Sequence, residues 1–292
     1  MLVMEPLPQY WSPAEDRVQA PGGKTYALRL WGWSVSSAAD AASVAARRLG
    51  EVAHRIRTGQ PLGRDYYPRT PLREEPLREI RGDSGELLGV ISRNSYGAEI
   101  LNTDQILIAD VDLPSVRPAA LRTRMLARIF GADKRDRQGL HSEGTVVERI
   151  QEFARTRPHF GVHMYRTAAG FRVLITGAQA PPDSEEARRI LSDLAADPLY
   201  ARLCAVHRTY RARLTPKPWR AGMRALPHRW PWTNQAAADR AARWIGRYRE
   251  QSARYAVCQR IRRGSAAPSP AEGLLIEAHD RAVLGRSDLP LA

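Results

Sequence analysis

The stretch ILIADVDLP, residues 106–114, constrains the fold more than any other part of the chain. Its apolar, β-branched run reads as a buried strand, yet it ends on two carboxylates, Asp110 and Asp112. Side chains alternate across a strand, so the two acids share one face with their Cα atoms about 6.6 Å apart. At an effective dielectric near 20 two full charges at that spacing repel by about 2.5 kcal/mol, before any desolvation cost. Something must offset that, and a divalent cation is the usual compensation.

The 292 residues, 43% of them hydrophobic, suffice for one large domain or two of ordinary size. No apolar run approaches the roughly 20 residues that span a bilayer, and the N-terminus MLVMEPLPQYWSP is too proline-rich for a signal peptide. The expectation is a soluble cytoplasmic protein, nucleoid-associated, with no membrane partner. Two cysteines, Cys204 and Cys258, cannot build a disulfide framework or a zinc site and read as buried thiols.

The net charge of +14 is concentrated. Residues 201–263 carry 15 Arg and Lys217 against Asp239 and Glu250 alone, and the remaining residues balance at 29 of each sign. Only 3 of the 45 basic residues are Lys, a bias that a GC-rich genome would produce by itself, but that does not explain why acids are missing from one segment. A concentrated positive field attracts polyanions, and nucleic acid, DNA or RNA, is the commonest.

Three regions follow from the pattern. Residues 1–104 read as an N-terminal α/β subdomain: a strand at Tyr26–Trp31, a helix capped by Ser36 or Ser37 and running to Arg57, a turn-rich stretch over 60–86, and a hairpin of LLGVISR and YGAEIL turning at Asn94 and Ser95. Residues 105–220 carry a strand at 106–112, a helix at Ala119–Phe130, the polar loop GADKRDRQG, a helix at Glu143–Thr156, strands GVHMYRT and FRVLITG, a helix at Ser184–Ala195, and a last strand at Thr209–Leu214 that would close the sheet. Apart from the extra helix that order is β-α-β-β-α-β, a ferredoxin-like or RNA-recognition-motif-like sheet, so the fold class is α+β. Residues 221–292 read as a basic helical segment: an irregular Pro- and Trp-rich stretch, a helix from Gln235 to Arg262, and a tail helix that docks or frays. Arg240, Arg243, Arg247 and Arg254 share one side of that long helix, while Trp244, Tyr248 and Tyr255 lie on an adjoining, core-facing side. Trp31 and Trp33 read as core, and Arg73, Glu74 and Glu75 as a solvated charge cluster.

An apolar strand ending in Asp-x-Asp, then the hairpin YRTAAGFRVLITG, then Asp197-Pro198-Leu199-Tyr200 followed by Tyr210, Arg211 and Lys217, resembles the catalytic module of the archaeo-eukaryotic primase (primase-polymerase) superfamily, over roughly residues 87–220. That family carries an Asp-x-Asp strand, a hairpin with a nucleotide-binding His, and a third acid on an RNA-recognition-like sheet; Arg172 stands where its His would be. The resemblance implies a nucleotidyltransferase that uses nucleoside triphosphates on a nucleic-acid template, with Mg2+ or Mn2+ held by Asp110, Asp112 and Asp197, Asp193 being a rival third ligand. Arg172, Arg211, Arg213 and Lys217 would neutralise the triphosphate, Arg93 with Asn94 and Tyr96 would border the site, and Arg240, Arg243, Arg247 and Arg254 would track the template. No helicase or zinc module is evident, so a priming enzyme of this kind would work with replication or repair proteins encoded separately. Two rival classes remain open: a non-catalytic nucleic-acid-binding protein on the same scaffold, and a metal-dependent nuclease using the same carboxylates.

Overall fold

The hairpin of β1 (Tyr10–Gln19) and β2 (Thr25–Ser34) turns at Gly22 and Gly23, both with positive φ, and pairs over its full length. Ser37 caps helix α1 (Ala38–Arg57) by accepting from the Asp40 N–H, and α1 lays an alanine face, Ala41, Ala45 and Ala53, against β2. That contact needs Gly32: a Cβ there would fall 2.1 Å from the Ala41 carbonyl oxygen and 2.2 Å from the Ala45 nitrogen. The computed structural model describes residues 6–62, 70–113, 143–285 and 288–292, and within them the chain is mixed α+β, with six helices and three antiparallel sheets. The expected helix at Ala119–Phe130 and the loop GADKRDRQG lie outside the described residues.

A second sheet follows from β3 (Glu75–Arg81), β4 (Leu87–Arg93) and β5 (Glu99–Thr103). The expected turn between the last two is built around Asn94, whose Oδ1 accepts from the N–H groups of Tyr96, Gly97 and Ala98. The turn-rich stretch, expected as an ordered loop or short helix, contains β3, whose Arg78, Glu79 and Arg81 sit on exposed positions of an edge strand and hide its alternation.

The third sheet holds the strand that carries Asp110 and Asp112. β6 (Leu107–Asp112) is followed by α2 (Glu143–Thr156) and by the hairpin of β7 (Gly161–Thr167) and β8 (Gly170–Thr176), and β6 pairs with β8 rather than with its nearer neighbour in sequence. After α3 (Glu185–Asp193) the chain forms a helix that the sequence did not reveal, α4 (Pro198–His207), capped by Asp197 with Pro198 in its first turn. Then β9 (Tyr210–Arg213) joins β5, giving the order β3-β4-β5-β9, instead of closing the sheet beside β6. The reason is local: the outer edge of β6 is already used, since the Asp197 N–H donates to the Asp110 carbonyl at 2.9 Å and the Tyr200 hydroxyl to the Ile108 carbonyl at 2.9 Å.

Beyond a short 3-10 turn at Pro218–Ala221, α5 (Gln235–Ser252) buries Ala237, Ala241, Trp244 and Tyr248, as expected of its aromatic side. The helix expected to reach Arg262 stops ten residues short. Residues 258–262 form β10 (Cys258–Arg262), which pairs with β7 and completes the order β10-β7-β8-β6. Arginine spacing continues past Ser252, but Val257 and Cys258 are apolar and buried, and an unpaired β7 edge was there to receive them. Helix α6 (Pro270–Val283), opened by a Ser269/Glu272 capping box, docks Leu275, Ile276, His279 and Val283 into the main core. Both cysteines are buried and unbridged. No helix among the described residues is long and apolar enough to cross a membrane.

Candidate functional site

β6 and β8 pair so that Asp110 faces Arg172 and Asp112 faces Gly170. The glycine is a steric requirement: a Cβ at Gly170 would fall 2.0 Å from the Val111 carbonyl oxygen and 3.0 Å from the Asp112 Cα. The small-residue turn Thr167–Gly170 therefore lets the acidic end of β6 close down on the hairpin, with the Leu113 N–H donating to the Ala169 carbonyl at 2.9 Å.

Arg172, 1% exposed, is the largest fully buried side chain among the described residues. Its Nε donates to Asp110 Oδ1 at 2.9 Å and its Nη1 to the Arg213 carbonyl at 2.8 Å. Burial, the largest single cause, would depress its pKa, but the opposing causes, led by the Asp110 charge, together hold the guanidinium above its usual range. The row continues across the sheet, because Arg172 is in register with Tyr165 and Tyr165 with Arg260. Helix α6 covers this row: His279 packs edge-on against Tyr165 with ring centroids 4.9 Å apart, and its Nε2 lies 3.5 Å from Arg172 Nη1. His279 Nδ1 lies 3.1 Å from Asp280 Oδ1, and Asp280 also pairs with Arg260. A neutral His279 with its proton on Nδ1 satisfies both contacts, in keeping with burial, its largest cause, lowering its pKa.

Asp197 reaches the same end of β6 through its backbone bond to Asp110, while its Oδ1 accepts from the Leu199 N–H as the α4 cap. The three acids are close enough to repel. Asp112 keeps solvent access, yet its carboxyl is pushed above the usual range by partial desolvation first, then by Asp197 and Asp110, with Lys217 and Arg213 opposing. Burial lowers the Lys217 and Arg220 pKa values, Arg213 adds to both effects, and the Asp112 charge opposes them. The Arg213 Nε is buried with no hydrogen-bond partner. Asp110, Asp112, Arg172, Arg213, Lys217 and Arg220 line one cleft.

Aromatic groups border this cleft. Tyr96, expected near the site, packs against Trp219 at 5.3 Å, and Trp219 is 55% exposed. Trp219, Arg220 and His279 were missed in the sequence. Only the phrase KPWR, which begins at Lys217, could have drawn attention to the first two, and nothing marks a histidine 107 positions beyond Arg172.

Two expected nucleotide contacts lie elsewhere. Arg211 is buried and donates from Nη2 to both oxygens of Glu74, at 2.7 and 2.9 Å, and from Nη1 to Asn102 Oδ1 at 2.5 Å. Arg93, 3% exposed, pairs with Glu75 at 3.0 Å and Glu99 at 3.4 Å. Both guanidiniums are held inside the second sheet because Glu74 and Glu75, expected in a solvated cluster, are their buried or half-buried counter-charges. Asp193, the rival third acid, is paired with Arg157 at 2.6 Å. Arg240, Arg243 and Arg247 are exposed on α5, and Arg254 is exposed just past its end.

Oxygen donors with mutual repulsion suit a hard divalent cation in kind. Among the described residues no group of three or more His, Cys, Asp or Glu side chains is arranged to hold a metal ion. One Asp110 oxygen is engaged by Arg172 and one Asp197 oxygen by the α4 cap. No family model, curated protein or solved structure matches the chain.

Proposed function

We propose that this chain is a nucleotidyltransferase of the primase-polymerase kind, acting on a nucleic-acid template with nucleoside triphosphates and Mg2+ or Mn2+. The observation that carries the reading is the charge layout of one cleft: Asp110, Asp112 and Asp197 at the end of β6, faced by Arg213, Lys217 and Arg220, with the Arg213 Nε lacking a partner. The strand order β6-β8-β7, with α2 in the crossover and helices before β9, supports an RNA-recognition-motif-like sheet whose fourth strand has moved to the neighbouring sheet.

In this reading the cations bind the triphosphate. The guanidinium forks suit phosphate oxygens, and the unpartnered Nε gains an acceptor when a ligand enters. Trp219, largely exposed above Lys217, offers a face for a nucleobase. Arg172 fixes the rotamer of Asp110, and His279 in turn fixes Arg172. A divalent cation held by Asp110 and Asp112, with Asp197 near, would supply charge neutralisation for the attacking hydroxyl and the leaving pyrophosphate. The exposed arginines of α5 would follow a template backbone without regard to sequence. A cytoplasmic, nucleoid-associated location and separately encoded replication or repair partners belong to the same reading.

A specific observation favours a second reading, a non-catalytic nucleic-acid binder on this scaffold. Arg172 neutralises Asp110, and Asp197 serves as a helix cap, so two of the three acids have structural partners. Template-directed incorporation of labelled nucleotides with Mn2+, together with Mn2+ calorimetry on the wild type and on Asp112→Asn, separates the two. Incorporation and Mn2+ binding that both vanish in the variant support the enzyme. Oligonucleotide binding without either leaves the binder.

A further inference from the structure

A recess of about 310 Å³ lies away from the cleft, lined by Arg29 and Trp31 of β2, Arg73 at the approach to β3, and His228 and Arg229 of the irregular segment before α5. The sequence reading placed Trp31 in the core. It is only half-buried, and two guanidinium groups lie over its ring, with the Arg73 carbon 4.1 Å and the Arg29 carbon 5.4 Å from the centroid. Two guanidiniums thus converge on one indole, and Arg229 lines the same recess.

The balancing acid is nearly absent. Arg29 pairs with Glu15 at 3.1 Å, but both side chains are about half exposed, and such pairs contribute little. The Arg73 Nε is buried with no hydrogen-bond partner. Burial and then the charges of Arg229 and Arg29 push the Arg73 pKa down, so the cluster is under like-charge repulsion. A fold that gathers these cations with only the exposed Glu15 carboxylate beside one of them has a place for an anion. The planar surfaces add a second requirement, since Trp31 and the guanidinium planes present stacking faces of the kind that hold unpaired bases. The recess is also continuous with the basic face of α5: the Arg240 Nε lies 3.0 Å from His228 Nε2, and Arg243 and Arg247 follow on the same exposed side.

We propose that this recess is a binding site for single-stranded nucleic acid, taking a backbone phosphate between Arg73 and Arg229 and a base on the guanidinium planes stacked over Trp31, with the strand running on along Arg240, Arg243 and Arg247. For the class of partner this rests on the reading of the cleft given above, but the surface is separate from it. A folded phosphoprotein or an anionic lipid surface would match the charge yet leave the aromatic face without a role.

The test is fluorescence anisotropy of the full chain with a labelled single-stranded oligonucleotide, titrated with salt. Arg229 is exposed, so Arg229→Gln keeps the fold, and Arg73→Gln/Arg229→Gln is checked by thermal melting. Loss of the phosphate held between the two arginines is expected to weaken binding about tenfold and to reduce the slope of log affinity against log salt by about 0.7, the value for one phosphate on a single strand. Trp219→Ala, in the cleft, reports on the other site. Arg229→Gln and the double variant both binding with wild-type affinity and slope, while Trp219→Ala weakens binding, would overturn the recess and leave the cleft standing. A wild-type chain that binds no oligonucleotide, or that prefers anionic vesicles, would overturn both.

Discussion

The Arg172 guanidinium meets the Asp110 carboxylate at 2.9 Å from directly across two paired strands, with 2% of the arginine side chain and 26% of the aspartate exposed. A buried ion pair of this kind need not add stability over an apolar pair, but breaking it does cost. Arg172→Met would leave Asp110 without its partner, and the Arg213 carbonyl without its donor. A loss of about 3 kcal/mol is expected, read as a lower urea midpoint at unchanged slope. Asp110→Asn, which leaves the more deeply buried guanidinium without its counter-charge, should cost at least as much. A clearly smaller loss for Asp110→Asn would show that the buried guanidinium does not depend on the charge at Asp110.

Arg211 and Glu74 make the second buried pair, 9% and 8% exposed as side chains, and here the structure assigns stability rather than ligand binding. Glu74→Gln is expected to destabilise by about 3 kcal/mol, while Glu74→Leu/Arg211→Met recovers most of it. Both forms should bind nucleotide like the wild type. Nucleotide affinity that falls with Arg211 while stability does not would return Arg211 to the site.

Much of this layout was legible in the sequence because it is local. The spacing of Asp110 and Asp112, the hairpin around Gly170, the cap at Ser37 and the Asn94 turn each depend on residues within a few positions of one another. What was not legible depends on partners far along the chain. Arg93 and Arg211 look like any other arginine until Glu75 and Glu74 are folded against them, and His279 meets Arg172 only because α6 returns to cover the sheet. The arginine periodicity past Ser252 misled for the same reason: it records an exposed face and cannot say whether helix or edge strand carries it. The fourth strand was misplaced because the capping segment Asp197–Tyr200 claims the β6 edge first, a competition that periodicity does not encode.

Three histidines sit where burial, in each case the largest cause, disfavours their charged form: His163, His207 and His279, with His207 lowered from 6.5 to about 4. A depressed pKa in the fold means that the unfolded chain takes up a proton that the folded chain refuses. Their contribution to stability is therefore complete above the unfolded value near 6.5 and is lost as pH falls toward the folded values. Asp104 and Asp112, whose pKa values are raised by burial first, act in the opposite sense. Urea unfolding should thus show stability falling from pH 6.5 toward about 4, with a shallower fall in His207→Gln. A flat profile over that window would contradict the buried neutral histidines.

Trp219 is 55% exposed, touches Tyr96 and stands over Lys217, so it contributes little to the core. Trp219→Ala should leave the melting temperature nearly unchanged. If its face receives a base, oligonucleotide or nucleotide affinity falls by about 1–3 kcal/mol, the usual cost of losing one stacking partner. Unchanged affinity alongside unchanged stability would remove Trp219 from the site.

Asp197 has two roles that can be separated by chemistry. As the cap of α4 it needs an oxygen acceptor for the Leu199 N–H, which Asn supplies as well as Asp and Ala does not. As the third acid beside Asp112 it needs a negative charge, which neither substitution supplies. Asp197→Ala should therefore lose about 1 kcal/mol of stability together with any cation binding, whereas Asp197→Asn should keep the stability and lose the cation binding. Calorimetric titration with Mn2+ beside a thermal melt on both variants distinguishes the cases. If Asp197→Asn binds Mn2+ like the wild type, Asp197 is a helix cap alone, and any cation at this cleft is held by the paired acids of β6.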